Sequence, residues 1–191
     1  MEGKILHRDI SENNIIITDP KEANGFRDML IDAEYGKENG SGRSGARQQT
    51  GTMEFMAIQV LQRVAHTYRH DLESFFYVLL WTCARRAWER EFLCSAVDRP
   101  KRNILSKWYT SSYDDIADAK RGYMHVDGFE DILNAYPLAF GCVKPLCKEV
   151  RGILFPLLKN GALFTGTPSD LPEKLYDPII EAFDNTIAGM V

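Results

Sequence analysis

The sequence has no excess of positive charge. Its 23 Lys and Arg are outweighed by 27 Asp and Glu, for a net charge of −4. That balance excludes a domain that grips nucleic acid or an anionic membrane surface by charge alone. The surplus of acid is too small for an acidic disordered tail. Long apolar runs are missing too. The most apolar stretch, Phe75 to Cys83, falls far short of the ~20 residues a spanning helix needs, so it reads as a buried helix. The opening, Met1 to Asp9, has no apolar signal-peptide core. Cysteine is scarce. Cys83, Cys94, Cys142 and Cys147 include no C-x-x-C pair, and the Cys142/Cys147 spacing has no His partner, so no zinc site is expected. Free thiols without a signal peptide predict an intracellular protein, cytoplasmic or nuclear.

No repeat and no dividing linker interrupts the chain. Residues 1–191 are expected to form one domain, large enough to bury roughly 70% of its unfolded surface. Residues 15–18 and 29–32 are short β-type runs, separated by the turn formers Asp19, Pro20, Asn24 and Gly25; they predict a hairpin. Residues 36–52 are glycine-rich and polar and read as a mobile loop. Helical patterns follow over 71–88, 112–124, 138–158 and 178–190, with Ser112 and Asp115 as an N-cap signal. Two small strands, a long loop and then helices is an unusual order for a complete domain.

Four motifs carry chemistry. His7-Arg8-Asp9-Ile10-Ser11-Glu12-Asn13-Asn14 is similar to the protein-kinase catalytic loop, H-R-D-L-x-x-x-N, with Ile10 for Leu. In that pattern one carboxylate, here Asp9, accepts the hydrogen bond of the substrate hydroxyl. Five residues on, an amide oxygen, here Asn14, reaches magnesium. Met29-Leu30-Ile31-Asp32 is a strand ending in Asp where kinases carry Asp-Phe-Gly; here the triplet is Asp32-Ala33-Glu34. Thr50 to Gln59 resembles the end of an activation segment, with Thr52 at the position that hydrogen-bonds the catalytic Asp. Its last triplet is Ala57-Ile58-Gln59, so the ion pair usually made by a Glu at that end is not available to Gln59. His70 to Trp81 resembles the long central helix of the kinase C-terminal lobe, with Asp71 where an Asp holds the backbone N–H groups of the catalytic loop. Charge at a helix start would by itself explain Asp71.

The wording of these segments resembles the fungal-type protein kinase family, motif by motif to about residue 88. The resemblance implies a mainly α fold: a kinase-like C-terminal lobe with a small β-hairpin carrying the catalytic loop. It implies a catalytic loop at 7–14, an activation segment at 32–59, a central helix at about 70–88 and further helices to 190. His7, Arg8, Asp9, Ser11 and Thr52 would be catalytic, and Asn14 and Asp32 would hold Mg2+ for ATP. Ser11 either orients the substrate hydroxyl or fills the turn. The lobe that grips ATP lies before His-Arg-Asp in such kinases, so this chain is expected to lack it and to be inactive alone. Its partners would be a protein substrate or that missing segment. Alternatives are a non-catalytic interaction module and a small-molecule phosphotransferase of the aminoglycoside type, whose Ile-Asp-x-Glu wording Ile31 to Glu34 resembles.

Other features carry less. Gly40-Ser41-Gly42-Arg43-Ser44-Gly45 fits G-x-G-x-x-G but opens no amphipathic helix and reads as loop. Arg43 and Arg47 beside Ser41, Ser44, Thr50 and Thr52 are either a phosphoregulation patch or a solvated loop. His66, His70 and His125 have no ligand spacing, and Trp108, Tyr109 and Tyr113 read as helix packing. Phe75, Phe76, Val78, Leu79, Leu80 and Trp81 leave the central helix no polar face. If the later helices do not cover all of it, an apolar surface available for self-association is expected.

Overall fold

The computed structural model describes residues 5–19, 21, 28–33, 36–38, 52–94 and 104–190, with backbone only at 28, 37, 38 and 86–94. The glycine motif at 40–45, Arg43, Arg47 and most of the predicted 36–52 loop lie outside the described residues.

Among the described residues four short strands come first. β1 (Ile5–Leu6) pairs antiparallel with β4 (Lys37–Glu38), and β2 (Ile15–Ile17) with β3 (Asp28–Leu30), in the register Ile15↔Leu30, Ile16↔Met29, Ile17↔Asp28. The second pair is the expected hairpin; β-branched Ile15 to Ile17 suits a pleated surface. Between β1 and β2 the chain makes one 3-10 turn, Glu12–Asn14.

The regular elements that follow are helical, beside one isolated antiparallel bridge between Leu157 and Leu163. α1 (Ile58–Leu61) is a single turn, and α2 (Tyr68–Cys94) is the long central helix, six residues longer at its C-terminal end than the apolar pattern that ends at Trp88 suggests. α3 (Tyr113–Met124) is capped by Ser112, whose Oγ accepts from Asp115 N at 3.2 Å and donates to Asp115 Oδ2 at 2.7 Å. The chain breaks at His125, whose ψ of 154° is extended, and α4 (Val126–Asn134) starts at once. The helix expected over 138–158 divides: a 3-10 stretch, Leu138–Val143, precedes α5 (Lys144–Leu154). Pro145 in the first turn accounts for the new start, because proline lacks an N–H that this turn leaves unused. α6 (Glu173–Ala188) begins before the expected 178 and accommodates Pro178 internally. The mainly helical architecture with a small hairpin matches a kinase-like, largely α fold.

α2 is the axis of the core. Phe76, Tyr77, Leu80 and Ala84 are buried against Trp108, Ile116, Phe129, Ile132, Val150 and Phe155 from the later elements. Each fully buried Leu, Ile or Phe stabilises by about 1.5–3 kcal/mol relative to exposure. Tyr136 lies beside two buried thiols, its hydroxyl 3.6 Å from Cys147 Sγ; burial pushes Cys83 up to about 11 and Cys147 to about 12. Cys142 is exposed. The later helices do not enclose α2 on every side. Phe75 remains 38% exposed, beside an apolar groove of about 260 Å3 lined by Leu72, Val150, Ile179, Ile180 and Phe183. Among the described residues no helix is long and apolar enough to cross a membrane.

Candidate active site

The loop before the hairpin is hung on Asp71, in the first turn of α2. His7 N–H donates to Asp71 Oδ2 at 2.8 Å and Arg8 N–H to Oδ1 at 3.0 Å, with His66 Nε2 also 2.8 Å from Oδ1. Arg8 takes a left-handed φ of 70°. Such a conformation costs about 1–3 kcal/mol for a residue with a Cβ. Hydrogen bonds to a charged acceptor contribute roughly 1.5–3 kcal/mol each, so the two to Asp71 outweigh the strain. His7 Nε2 donates to Ile31 O at 2.9 Å, which joins this loop to the end of β3. Ile10 is buried in the core and anchors the loop from below. Ser11, 2% exposed, starts the 3-10 turn with its carbonyl accepting from Asn14 N at 3.1 Å.

Asp9, Asn14, Asp32 and Thr52 gather around that loop. Asn14 Nδ2 donates to Asp9 O at 2.9 Å, which commits the amide nitrogen and leaves Oδ1 as an acceptor. Ile31 N–H donates to Asn14 O at 3.0 Å and so carries Asp32 to the neighbouring position. Asp32 is exposed, with a left-handed φ of 62°, and Ala33 O closes a turn with Gly36 N at 2.8 Å. Thr52 reaches Asp9 through its amide rather than its hydroxyl: Thr52 N–H donates to Asp9 Oδ1 at 3.2 Å.

From Thr52 the chain turns down onto α2. Phe55 and Met56 N–H both donate to Thr52 O, at 2.9 and 3.2 Å. Phe55, Met56, Ala57 and Ile58 are buried, and Phe55 meets Trp81 edge to face at 6.0 Å. Gln59 makes no ion pair, as its sequence predicts. Its Oε1 accepts from His70 Nε2 at 3.3 Å, while His70 Nδ1 accepts from Thr67 N at 3.0 Å. One ring nitrogen therefore donates and the other accepts, which is the neutral imidazole. Burial drives His70 down to about 4, against the opposing pull of Glu73. A neutral Gln is the fitting partner for a neutral His.

The buried ion pair lies within α2 instead. Glu73 pairs with Arg69, both fully buried, and its Oε1 accepts from Ile58 N and Tyr77 OH, each at 2.7 Å. Arg69 also donates to Leu154 O at 2.6 Å. Burial and Glu73 push the Tyr77 phenol well up, so it stays a donor. Motif reading assigned no role to Arg69, Glu73 or Lys120. Lys120 is wholly buried, with Nζ donating to the carbonyls of Met53, Glu54 and Met56. A signal for it exists: Ile116, Lys120 and Met124 stand at i, i+4, i+8 on the buried stripe of α3, where a lysine is out of place.

The fungal protein kinase family model matches residues 1–83. No curated protein matches the chain. The match covers less than half of the 191 residues, and with the mainly helical fold it supports a protein-kinase-superfamily fold. It takes in Asp9, Asn14, Asp32, Thr52, Asp71 and the α2 ion pair.

Proposed function

We propose that residues 1–191 are the C-terminal lobe of a protein kinase of the fungal type, whose reaction is ATP-dependent phosphoryl transfer to Ser or Thr hydroxyls of a protein. The observation that carries this reading is the placement of Asp9: its loop is fixed by Asp71, its carbonyl by Asn14 and one carboxylate oxygen by Thr52. The second oxygen is left to accept the proton of a substrate hydroxyl. Positioning of this kind supplies most of the catalysis in phosphoryl transfer.

The residues fit Mg2+. Asn14 Oδ1 and the exposed Asp32 carboxylate are two hard oxygen donors, the number that Mg2+ takes from protein when phosphates and water complete its shell. When bound, the ion neutralises charge on the nucleotide phosphates. His7 and Arg8 hold the loop in place, and Ser11 fills its turn. The catalytic loop spans 7–14, the activation segment 32–59, and α2 is the central helix. Phosphoryl transfer also needs groups that grip the nucleotide phosphates, and this reading assigns that role to none of the residues above, so the isolated chain is expected to be inactive.

Purified chain, Mg-ATP and Ser/Thr protein substrates are expected to give no turnover above that of Asp9→Asn; turnover that this variant abolishes overturns the inactivity. Paramagnetic Mn2+ is expected to broaden the NMR signals of Asn14 and Asp32, and Asp32→Ala to remove the effect. Unbroadened signals sink the metal assignment. In a protein that also carries the ATP-gripping lobe, Asp9→Asn lowers kcat by about 10²–10⁴. A non-catalytic interaction module is the second reading, favoured by the exposed apolar residues Ile17, Met29, Leu30 and Ile31 around the hairpin.

A further inference from the structure

Lys120 forms no ion pair among the described residues, yet its side chain is fully buried. Its three N–H bonds match three backbone acceptors: Met56 O at 2.6 Å, Glu54 O at 2.8 Å and Met53 O at 3.3 Å. Nζ also lies 4.2 Å from the Tyr77 ring centroid and 5.1 Å from that of Trp108. Carbonyl dipoles and ring faces both favour a cation. A neutral amine keeps two donors and turns a lone pair toward the third carbonyl, which is repulsive. The three carbonyls belong to the turn that begins at Thr52, whose oxygen accepts from Phe55 and Met56 N–H and whose own N–H holds Asp9. A contact path therefore runs from the ammonium through the turn to the Asp9 carboxylate.

We propose that the Lys120 ammonium is a proton-dependent clamp that positions residues 53–56 and, through Thr52, the Asp9 carboxylate. Its functional meaning rests on the reading of Asp9 as the catalytic carboxylate. Lys120 is a positioning residue and touches no reacting atom. Burial pulls it down from the usual lysine range to about 7, with Glu73 and Glu54 opposing. The groups facing it are Glu73, itself paired with Arg69, and the Tyr77 phenol from α2, and Glu54 from the segment. On α3 itself Arg121 turns away to Gln62 at 3.4 Å, and Lys107 of the 106–108 turn is exposed.

Below about 7 the clamp holds three carbonyls, and above it loosens. The contribution of this lysine to stability moves the other way. The folded value lies below the unfolded one, so the unfolded chain binds more protons between them and stability rises with pH from about 7 to 10.5. Loosening of the turn near neutral pH is therefore not global unfolding driven by this lysine.

The test is NMR of the 191-residue chain labelled at methionine methyls and backbone nitrogen, from pH 5 to 9. The Met53 and Met56 methyls and the Thr52 amide are expected to shift together in one step near neutrality, while Met190 stays still. Lys120→Met is expected to abolish the step and hold the signals at their high-pH positions at every pH. Lys120→Arg keeps a charge that does not titrate and is expected to hold the low-pH positions throughout; it decides the matter if Lys120→Met does not fold. A flat wild-type trace overturns the clamp. So does a step that persists in either variant, which would then belong to another group. None of these signals requires phosphoryl transfer, so failure of the kinase reading and failure of the clamp are separately visible.

Discussion

Among the described residues, 5–58 and 104–190 are held in place by different means. The first region buries few large side chains and hangs from α2 by point contacts: Asp71 under His7 and Arg8, Glu73 under Ile58. Hairpin residues Ile17, Met29 and Leu30 face outward. The second region is held by area, with Trp108, Ile116, Phe129, Ile132 and Phe155 buried around α2. Point contacts fix atoms to within a bond length but fail one at a time. Buried area tolerates change in detail and fails together. A carboxylate that must be held in one position, as Asp9 is, needs the first kind of support, and the scaffold beneath it needs the second.

The sharpest way to break this contrast is Glu73→Ala. It strands Arg69 in the core and removes acceptors from Ile58 and Tyr77, and losing one partner of a buried pair costs about 3–5 kcal/mol. Urea unfolding is expected to show that loss, with both regions destabilised because Glu73 serves both. Acid gives the next largest effect. His70 at about 4 lies below its unfolded 6.5, so the unfolded chain takes up a proton first as pH falls. Stability is therefore expected to drop between pH 6.5 and about 4, by on the order of 3 kcal/mol, and to level off from this group below that. His70→Gln should flatten that part of the stability profile.

Asp71→Asn separates the regions. An amide offers only one oxygen to two backbone donors, so about 1–3 kcal/mol is lost, and locally. Faster amide exchange at His7 and Arg8, with α3 to α6 unchanged, is the expected result; equal acceleration in both regions would remove the distinction. The smallest effect belongs to the helical region. Ser112→Ala deletes the α3 cap and should lower the melting free energy by about 1 kcal/mol without moving the Asp9 signals.

These differences also explain what could be read in advance. The spacing of Asp9 and Asn14 is visible because a short loop forces its chemistry into adjacent positions, and Asp32 and Thr52 are visible because each stands in a short motif of its own. The hairpin and the Ser112 cap are visible because turn formers and caps act locally. The start of α5 was misplaced because Leu138 to Val143 carries an apolar helical pattern that Pro145 interrupts, and local pattern does not say which wins. Arg69, Glu73, Gln59 with His70, and Lys120 act across 11 to 85 positions of sequence or inside a packed core. Their partners are chosen by tertiary packing, so composition and period carry no mark of them beyond a lysine on the wrong stripe. Phe75 is the reverse case: the helix has no polar face, and the exposed groove beside it follows from that.

The thiols beside Tyr136 have a practical consequence. Cys83 and Cys147 are buried and held as thiols well above neutral pH, whereas Cys142 is at the surface. An alkylating reagent reacts with thiolate, so of these three it should modify Cys142 before Cys83 and Cys147, which it reaches only when the helices part. The rate at which Cys83 and Cys147 are labelled then reports how often the scaffold opens, as a stopwatch built into the chain.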